Sequence, residues 1–248
     1  MKNAEKAGLG AAAAGLLGTV GVGLYGGQIP TTQLFGPTIC REPKAGKKIA
    51  LTYDDGPNPI YTPQLHDLFE RHNARATFFL IGKWAEREPG LIREHIARGH
   101  AIGNHTFVHP SMPAHSDNWI REDLARCRDA IEASGEQIST IDGKMLMRPP
   151  YGRRRPGTLR VLAEQGYVST TWSITCYDWR EHRPKDAITR SGLKAKEGDI
   201  ILLHDGYHLD PAHDRSRSVG ATATILEHFT EQGYEFVTVP ELVAAARS

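Results

Sequence analysis

The stretch Ile49-Ala50-Leu51-Thr52-Tyr53-Asp54-Asp55-Gly56-Pro57 decides the fold of this chain. Its apolar, β-branched and aromatic first half reads as a buried strand, and two adjacent carboxylates before a Gly-Pro pair end it. Such an ending is either a plain turn or a functional strand end. Further along comes His105-Thr106-Phe107-Val108-His109, two imidazoles at i, i+4. That spacing also suits an ordinary helix face or core pair. Taken together, one carboxylate and two neutral imidazoles can hold a divalent ion and leave positions open for water and substrate. The second carboxylate, left off the ion, can act as a general base.

Working outward, seven stretches read as strands: 48–53, 76–80, 101–104, 145–148, 168–174, 199–203 and 235–239. Helical patterns lie between them. Residues 62–72 carry Leu65, Leu68 and Phe69 on one face, and 88–98 carry Leu91, Ile92 and Ile96. Residues 116–134 carry Ile120, Leu124, Cys127 and Ile131, with Ser116 or Asp117 as N-cap. Further helices fit 156–165, 184–194, 218–232 and 240–246. Strands alternating with helices imply a parallel sheet covered by helices, either a barrel or a doubly wound sheet. Polar clusters sit at the strand C-termini: Asp54-Asp55, His105, Arg148-Pro149-Pro150-Tyr151-Gly152, Asp178-Trp179 and His204-Asp205. Clusters around one rim fit a barrel, whose catalytic loops gather at that face. No further strand is visible after Val239, so the barrel is expected to be incomplete.

These clusters, in this order, resemble the polysaccharide deacetylase family, the NodB-homology domain of carbohydrate esterase family 4. Thr52-Tyr53-Asp54-Asp55-Gly56-Pro57 resembles its first motif, His105 to His109 its second, and Arg148-Pro149-Pro150-Tyr151 its third. Asp178-Trp179 resembles the end of the fourth, and Leu202-Leu203-His204 the fifth. The likeness spans residues 47–242. It implies an α/β fold, a distorted (β/α)7 barrel, and metal-dependent removal of acetyl groups from an N-acetylated polysaccharide or oligosaccharide, of chitin-oligomer or peptidoglycan type. It implies Asp54 as base, and Asp55, His105 and His109 as ligands of a divalent metal, zinc or else cobalt or another ion. It implies His204 as acid, Asp178 as the partner of His204, and Arg148 as the cation beside Asp54. The Tyr151 N–H is implied to face the oxyanion, with Trp179 and Leu202 walling a pocket for the acetyl methyl. The family usually has another Asp where this chain has Thr175, which bears on substrate contacts. An O-deacetylase of acetylxylan-type esters, a cyclic amide or imide hydrolase, and a non-catalytic glycan-binding protein are the rival readings.

Other residues read more plainly. Arg153-Arg154-Arg155 is either solvated or in touch with an acidic substrate. Asp205 reads as a turn carboxylate without a catalytic role. The loop 206–217 either shapes a substrate groove or is a mobile surface loop. His66, His72, His95, His115 and His228 read as surface or helix residues. Cys127 reads as a buried thiol, and three cysteines make no disulfide framework. The length of 248 residues suits one domain with an appendage. A formal net charge of +1 gives no electrostatic case for nucleic acid.

Residues 7–25 form an uncharged, Ala- and Gly-rich stretch long enough to span a membrane. Residues 1–27 are therefore expected to be a signal anchor or a cleaved signal peptide. Residues 28–46, with Pro30, Pro37 and Pro43, read as a linker, and 47–248 as the deacetylase-like domain. Flanking charges do not settle orientation. With the resemblance, the catalytic domain is expected outside the cytoplasm, membrane-anchored or secreted.

Overall fold

The computed structural model describes residues 27–248. The expected anchor or signal peptide lies outside them, apart from Gly27. Among the described residues, no helix is long and apolar enough to cross a membrane.

Strand β1 (Lys48–Gly56) is buried along nearly its whole length. It has parallel neighbours on both sides, β2 (Ala76–Leu80) and β8 (Ile200–His204). Burial on both faces explains why it is almost continuously apolar rather than alternating. Beyond β2 lie β3 (Ala101–Asn104) and then β5 (Lys144–Met147), both parallel. β6 (Tyr167–Ser169) pairs with β5, β7 (Ile174–Thr175) with β8, and β9 (Glu235–Phe236) with the start of β1. β4 (Thr140–Ile141) makes the antiparallel exception, a hairpin with β5. Its turn, Asp142-Gly143, holds both residues at positive φ, 51° and 73°. That Asp-Gly pair is a hairpin signal that the hydrophobic pattern alone leaves unread.

The helices are α1 (Thr62–Arg71), α2 (Gly82–Ala85), α3 (Pro89–Ala97) and α4 (Asp117–Glu132). They continue as α5 (Pro156–Glu164), α6 (Lys185–Gly192), α7 (Ser216–Glu231) and α8 (Val239–Ala245). Their starts follow local chemistry. Proline occupies the first turn of α1, α3, α5 and α8, where its missing N–H costs nothing. The Ser116 side chain caps α4 by accepting the Trp119 N–H. Thr238 and Glu241 form a capping box on α8. α2 is one turn long, too short to show a period.

The expected mixed α/β, barrel-like architecture is present; β4 and α2 add to the expected elements, and two of the expected strands are changed. The stretch expected as one strand over 168–174 is two pieces, because the chain changes partners along it. Thr170 N–H still donates to Met147 of β5, whereas Thr171 N–H donates to Ile39 and Ser173 N–H to Ile200 of β8. The last expected strand shortens to Glu235–Phe236 because Thr238 caps α8. Part of the 28–46 stretch packs at the break between β6 and β7. Ile39 bridges Thr170, Arg41 bridges Asp199, and Glu42 N–H donates to Gly198 C=O at 2.7 Å.

Two histidines expected on the surface or along helices are core residues. His66 of α1 and His95 of α3 are fully buried with His100, packed around Phe78. His66 Nε2 and His95 Nδ1 share a hydrogen bond of 2.8 Å, and His100 Nδ1 accepts the Ala76 N–H. Sequence periodicity places an imidazole on a helix face but does not say that the face is packed. Burial pushes His66 down to about 4 and His100 to about 3, from an ordinary 6.5, and holds His95 well below that ordinary value. The fold therefore favours the neutral imidazoles. Their contribution to stability is complete above 6.5 and is lost as pH falls below it, because the unfolded chain takes up those protons first. Denaturant unfolding across a pH series should show stability falling below pH 6.5, by up to about 1.4 kcal/mol per pH unit for each imidazole. His100→Asn keeps an acceptor for Ala76 and should flatten that slope; an unchanged slope would contradict the assignment.

Candidate active site

Successive side chains of a strand point to opposite faces, so Asp54 and Asp55 should diverge. They do not, because the β1–β2 register shifts between Asp54 and Gly56 and Asp55 adopts a left-handed backbone, φ 73°. Both carboxylates end near the same imidazole, with His105 Nε2 at 3.6 Å from Asp54 Oδ2 and 3.6 Å from Asp55 Oδ1. The turn needs glycine next. A Cβ on Gly56 would lie 2.3 Å from the carboxylate of Asp205. Asp205 is thus no exposed turn residue. It is buried, takes a 2.5 Å hydrogen bond from Thr62, and is pushed up to about 7 by burial.

His105 and His109 sit on a loop, not a helix. Thr106 and His109 both have positive φ, 69° and 59°. The Asn104 side chain accepts the Thr106 N–H, and Asp123 of α4 accepts the Phe107 N–H, each at 2.7 Å. The Thr106 and Phe107 carbonyls accept the Gly82 and Lys83 N–H groups of α2. The loop is therefore held from both sides. It brings the two imidazole rings to 5.0 Å between centroids.

Asp55, His105 and His109 each offer one ligand atom, all within 4.8 Å of one another. Asp55 Oδ1 stands 3.2 Å from His109 Nε2, is buried, and has no hydrogen-bond partner. His105 Nδ1 lies 2.7 Å from the Arg148 carbonyl. A carbonyl only accepts, so Nδ1 carries the proton and Nε2 presents its lone pair to the cluster. Burial, with the charge of Asp54 added, raises Asp55 to about 7, while burial lowers His105 to about 4 and His109 further. An orphaned buried oxygen beside two neutral imidazole nitrogens is a donor set that fits a divalent cation.

Arg148 is fully buried. Its Nη1 donates to Asp54 Oδ1 at 2.7 Å and to Thr52 Oγ1 at 2.8 Å, and its Nη2 to the Thr171 carbonyl at 2.9 Å. Its guanidinium lies 4.1 Å over the Phe79 ring. Asp54 therefore has one oxygen tied and Oδ2 turned toward His105.

Across β1 stands the second pair. Asp54 and His204 are register partners on β1 and β8. His204 Nδ1 meets Asp178 Oδ1 at 2.9 Å, and Asp178 Oδ2 accepts the His204 N–H and the Ser218 hydroxyl, each at 2.7 Å. Burial pushes His204 down, but the charge and hydrogen bond of Asp178 outweigh it, and the imidazole sits above its ordinary value.

A cavity of about 230 Å³ opens between the two pairs. Leu202, Trp172 and Trp179 wall one side, with the Trp179 ring 5.2 Å from that of His204. Tyr151 stands at its mouth, 47% exposed, with φ 59°. Its N–H donates to no acceptor among the described residues. Every residue proposed for the site from sequence is thus brought to this rim, apart from Arg148 and Asp178, which stand behind it.

Sequence reasoning missed three neighbours. Trp172 falls within the expected strand 168–174, and a wall residue there has no signature. His208 stacks on His109 at 4.6 Å, and Tyr207 lines the cavity beside it. A second imidazole four residues past His204 is visible in the sequence but belongs to no motif. The arginine triplet divides. Arg154 is buried and clamps the Ile29 and Pro30 carbonyls, Arg155 pairs with Asp117, and Arg153 lies 5.3 Å over Tyr151. Thr175 lies in β7 with its hydroxyl buried and unpartnered.

Comparison with known proteins gives a consistent answer. Residues 41–170 match the polysaccharide deacetylase family. The chain is 38% identical over 203 residues to a peptidoglycan-N-acetylglucosamine deacetylase of Bacillus cereus, covering 81% of this chain and 90% of that protein. It is 33% identical over 211 residues to a chitooligosaccharide deacetylase of Sinorhizobium fredii, covering 82% and 95%. Its fold is similar to a family 4 carbohydrate esterase from Streptomyces lividans in complex with acetate, with a TM-score of 0.67 at 26% identity, covering 76% and 91%.

Proposed function

The chain belongs to the polysaccharide deacetylase family, and we propose that it hydrolyses the acetamide of an N-acetylated glycan, of the peptidoglycan or chitooligosaccharide type, using a divalent metal. The observation that carries this reading is the register pairing of Asp54 with His204, which line one cavity together with the Asp55-His105-His109 cluster. One of the pair suits proton removal and the other proton delivery, which is what splitting an amide with water requires. The similarity to deacetylases of two N-acetylated glycans supports the substrate class.

Asp55, His105 and His109 are the residues that would hold the ion; when bound, it supplies polarisation of the acetyl carbonyl and a more acidic water. Zinc suits this donor set, and cobalt or another divalent ion would also fit. Asp54, with Oδ1 held by Arg148, keeps Oδ2 for the proton of the attacking water. The Tyr151 N–H, which has no acceptor among the described residues, would donate to the oxygen of the tetrahedral adduct. Leu202, Trp172 and Trp179 take the methyl. His204 gives its proton to the sugar nitrogen as the C–N bond breaks, so acetate and a free amine leave. An amide nitrogen is too basic to depart without that proton, and Asp178 keeps the imidazole charged to deliver it. This is the reason for preferring the amide over an O-acetyl ester, whose alkoxide departs more easily.

Peptidoglycan, the substrate named for the 38% identical relative, lies outside the cytoplasm. We place the catalytic unit, 47–248 with 28–46 packed on it, there as well, with residues 1–27 as its anchor or export signal.

Asp54→Asn tests the base. Acetate release should fall at least about a hundredfold, with divalent-ion stoichiometry unchanged by calorimetry; an active Asp54→Asn protein would overturn the role. Asp178→Asn tests the acid. Removing the carboxylate leaves burial to lower His204, so the alkaline limb of the kcat/KM profile should move to lower pH. A limb that stays in place removes Asp178 from that role.

A further inference from the structure

The loop after β8 crosses the outer side of the metal cluster, and it is pinned there. Three consecutive carbonyls accept side-chain donors from other positions. Arg215 Nε bonds Gly206 C=O at 2.7 Å, Trp84 Nε1 bonds Tyr207 C=O at 3.1 Å, and Lys83 Nζ bonds His208 C=O at 2.5 Å. Trp84 and Lys83 belong to α2, whose N-terminal N–H groups hold the Thr106 and Phe107 carbonyls. One short helix therefore fixes the loop carrying His105 and His109 relative to the loop carrying His208. The two loops cannot shift independently without breaking these bonds.

This fixes where the His208 ring stands. It lies nearly parallel to the His109 ring, with centroids 4.6 Å apart and an interplanar angle of 22°. Its Nδ1 is 4.0 Å from Asp55 Oδ2, the carboxylate oxygen other than the one facing His105 and His109. Among the described residues, neither Asp55 oxygen receives a protein hydrogen bond of ordinary length. A carboxylate that ligates a metal through one oxygen is normally steadied by a donor on the other, and a ligating imidazole by packing or a hydrogen bond behind it. His208 is placed to do both at once, by stacking on His109 and by a small closing movement toward Asp55 Oδ2.

We infer that His208 is a positioning residue of the metal centre, bracing His109 and Asp55 from the β8–α7 loop and setting how tightly the ion is held. The inference rests on Asp55, His105 and His109 being the ligands. It makes metal affinity a property of the cavity rim as well as of the cluster beneath it. It also gives the Lys83 and Trp84 bonds a purpose, because they hold the backbone from which His208 projects.

The test is a chelator-competition titration of the full chain with Co²⁺ and Zn²⁺, read together with the visible spectrum of the Co²⁺ form and the melting temperature of the metal-free form. His208→Ala should weaken binding about 10- to 100-fold and shift the Co²⁺ bands, with the metal-free melting temperature unchanged. His208→Phe, which keeps the stacking ring but not the nitrogen, should recover part of the affinity and not the spectrum. His105→Ala serves as the control for the ligand set. If His105→Ala loses the ion while His208→Ala keeps wild-type affinity and bands, the role of His208 is wrong. If His105→Ala also binds normally, the ligand assignment itself fails.

Discussion

A guanidinium without solvent contact stands at the centre of this molecule, and the site is arranged around it. Burying a cation costs several kcal/mol unless its hydrogen bonds are met and its charge is opposed. Arg148 largely meets this with Asp54, Thr52 and Thr171, and with the face of Phe79, although its buried Nε has no hydrogen-bond partner. Its own carbonyl takes the Nδ1 proton of His105. One residue thus orients the proposed base with its side chain and a proposed metal ligand with its backbone. The tie extends outward, because the Thr171 hydroxyl donates to Pro30 C=O, which Arg154 also clamps. The stretch preceding β1 is therefore coupled to the Asp54 carboxylate through two buried arginines.

Around this centre the backbone carries strain where the chemistry is proposed. Among the described residues, seven other than glycine have positive φ, and Asp55, Thr106, His109, Tyr151 and Tyr177 are at or beside the cavity. Each such residue costs on the order of 1 kcal/mol or more and persists only where its surroundings over-determine it. Asn104, Asp123 and the N-terminus of α2 do this for the histidine loop. The carboxylate of Asp205, against Gly56, does it for the aspartate turn. The parallel sheet supplies alignment, and strained turns at its C-terminal edge aim the side chains.

Much of this was legible in the chain. The strand 48–53 ending in two carboxylates, the strand-end clusters and the helix starts all follow from local pattern, because period, caps and turn residues act within a few positions. One carboxylate and two imidazoles were legible as a donor set, and the family resemblance singled out Asp55; the i, i+4 spacing of His105 and His109 equally suited a helix, where there is a loop. What stayed hidden is long-range. The partner change at Thr170–Thr171, the burial of His66, His95 and Arg154, and the stacking of His208 on His109 depend on elements far apart in sequence. No local property of an arginine in a run of three says which one will be buried.

The pairing of Asp54 with His204 across one strand boundary, above a cation-fitting cluster, makes a simple claim: the cavity hydrolyses an acetamide only when the ion is present. The direct measurement is acetate release by the full chain, stripped with a chelator and then titrated with Zn²⁺ or Co²⁺, from N-acetylglucosamine oligomers and from peptidoglycan. The account predicts acetate and free amine in equal amounts, absent after stripping and restored by the metal. Metal bound at unit stoichiometry with no acetate released from either substrate would contradict it.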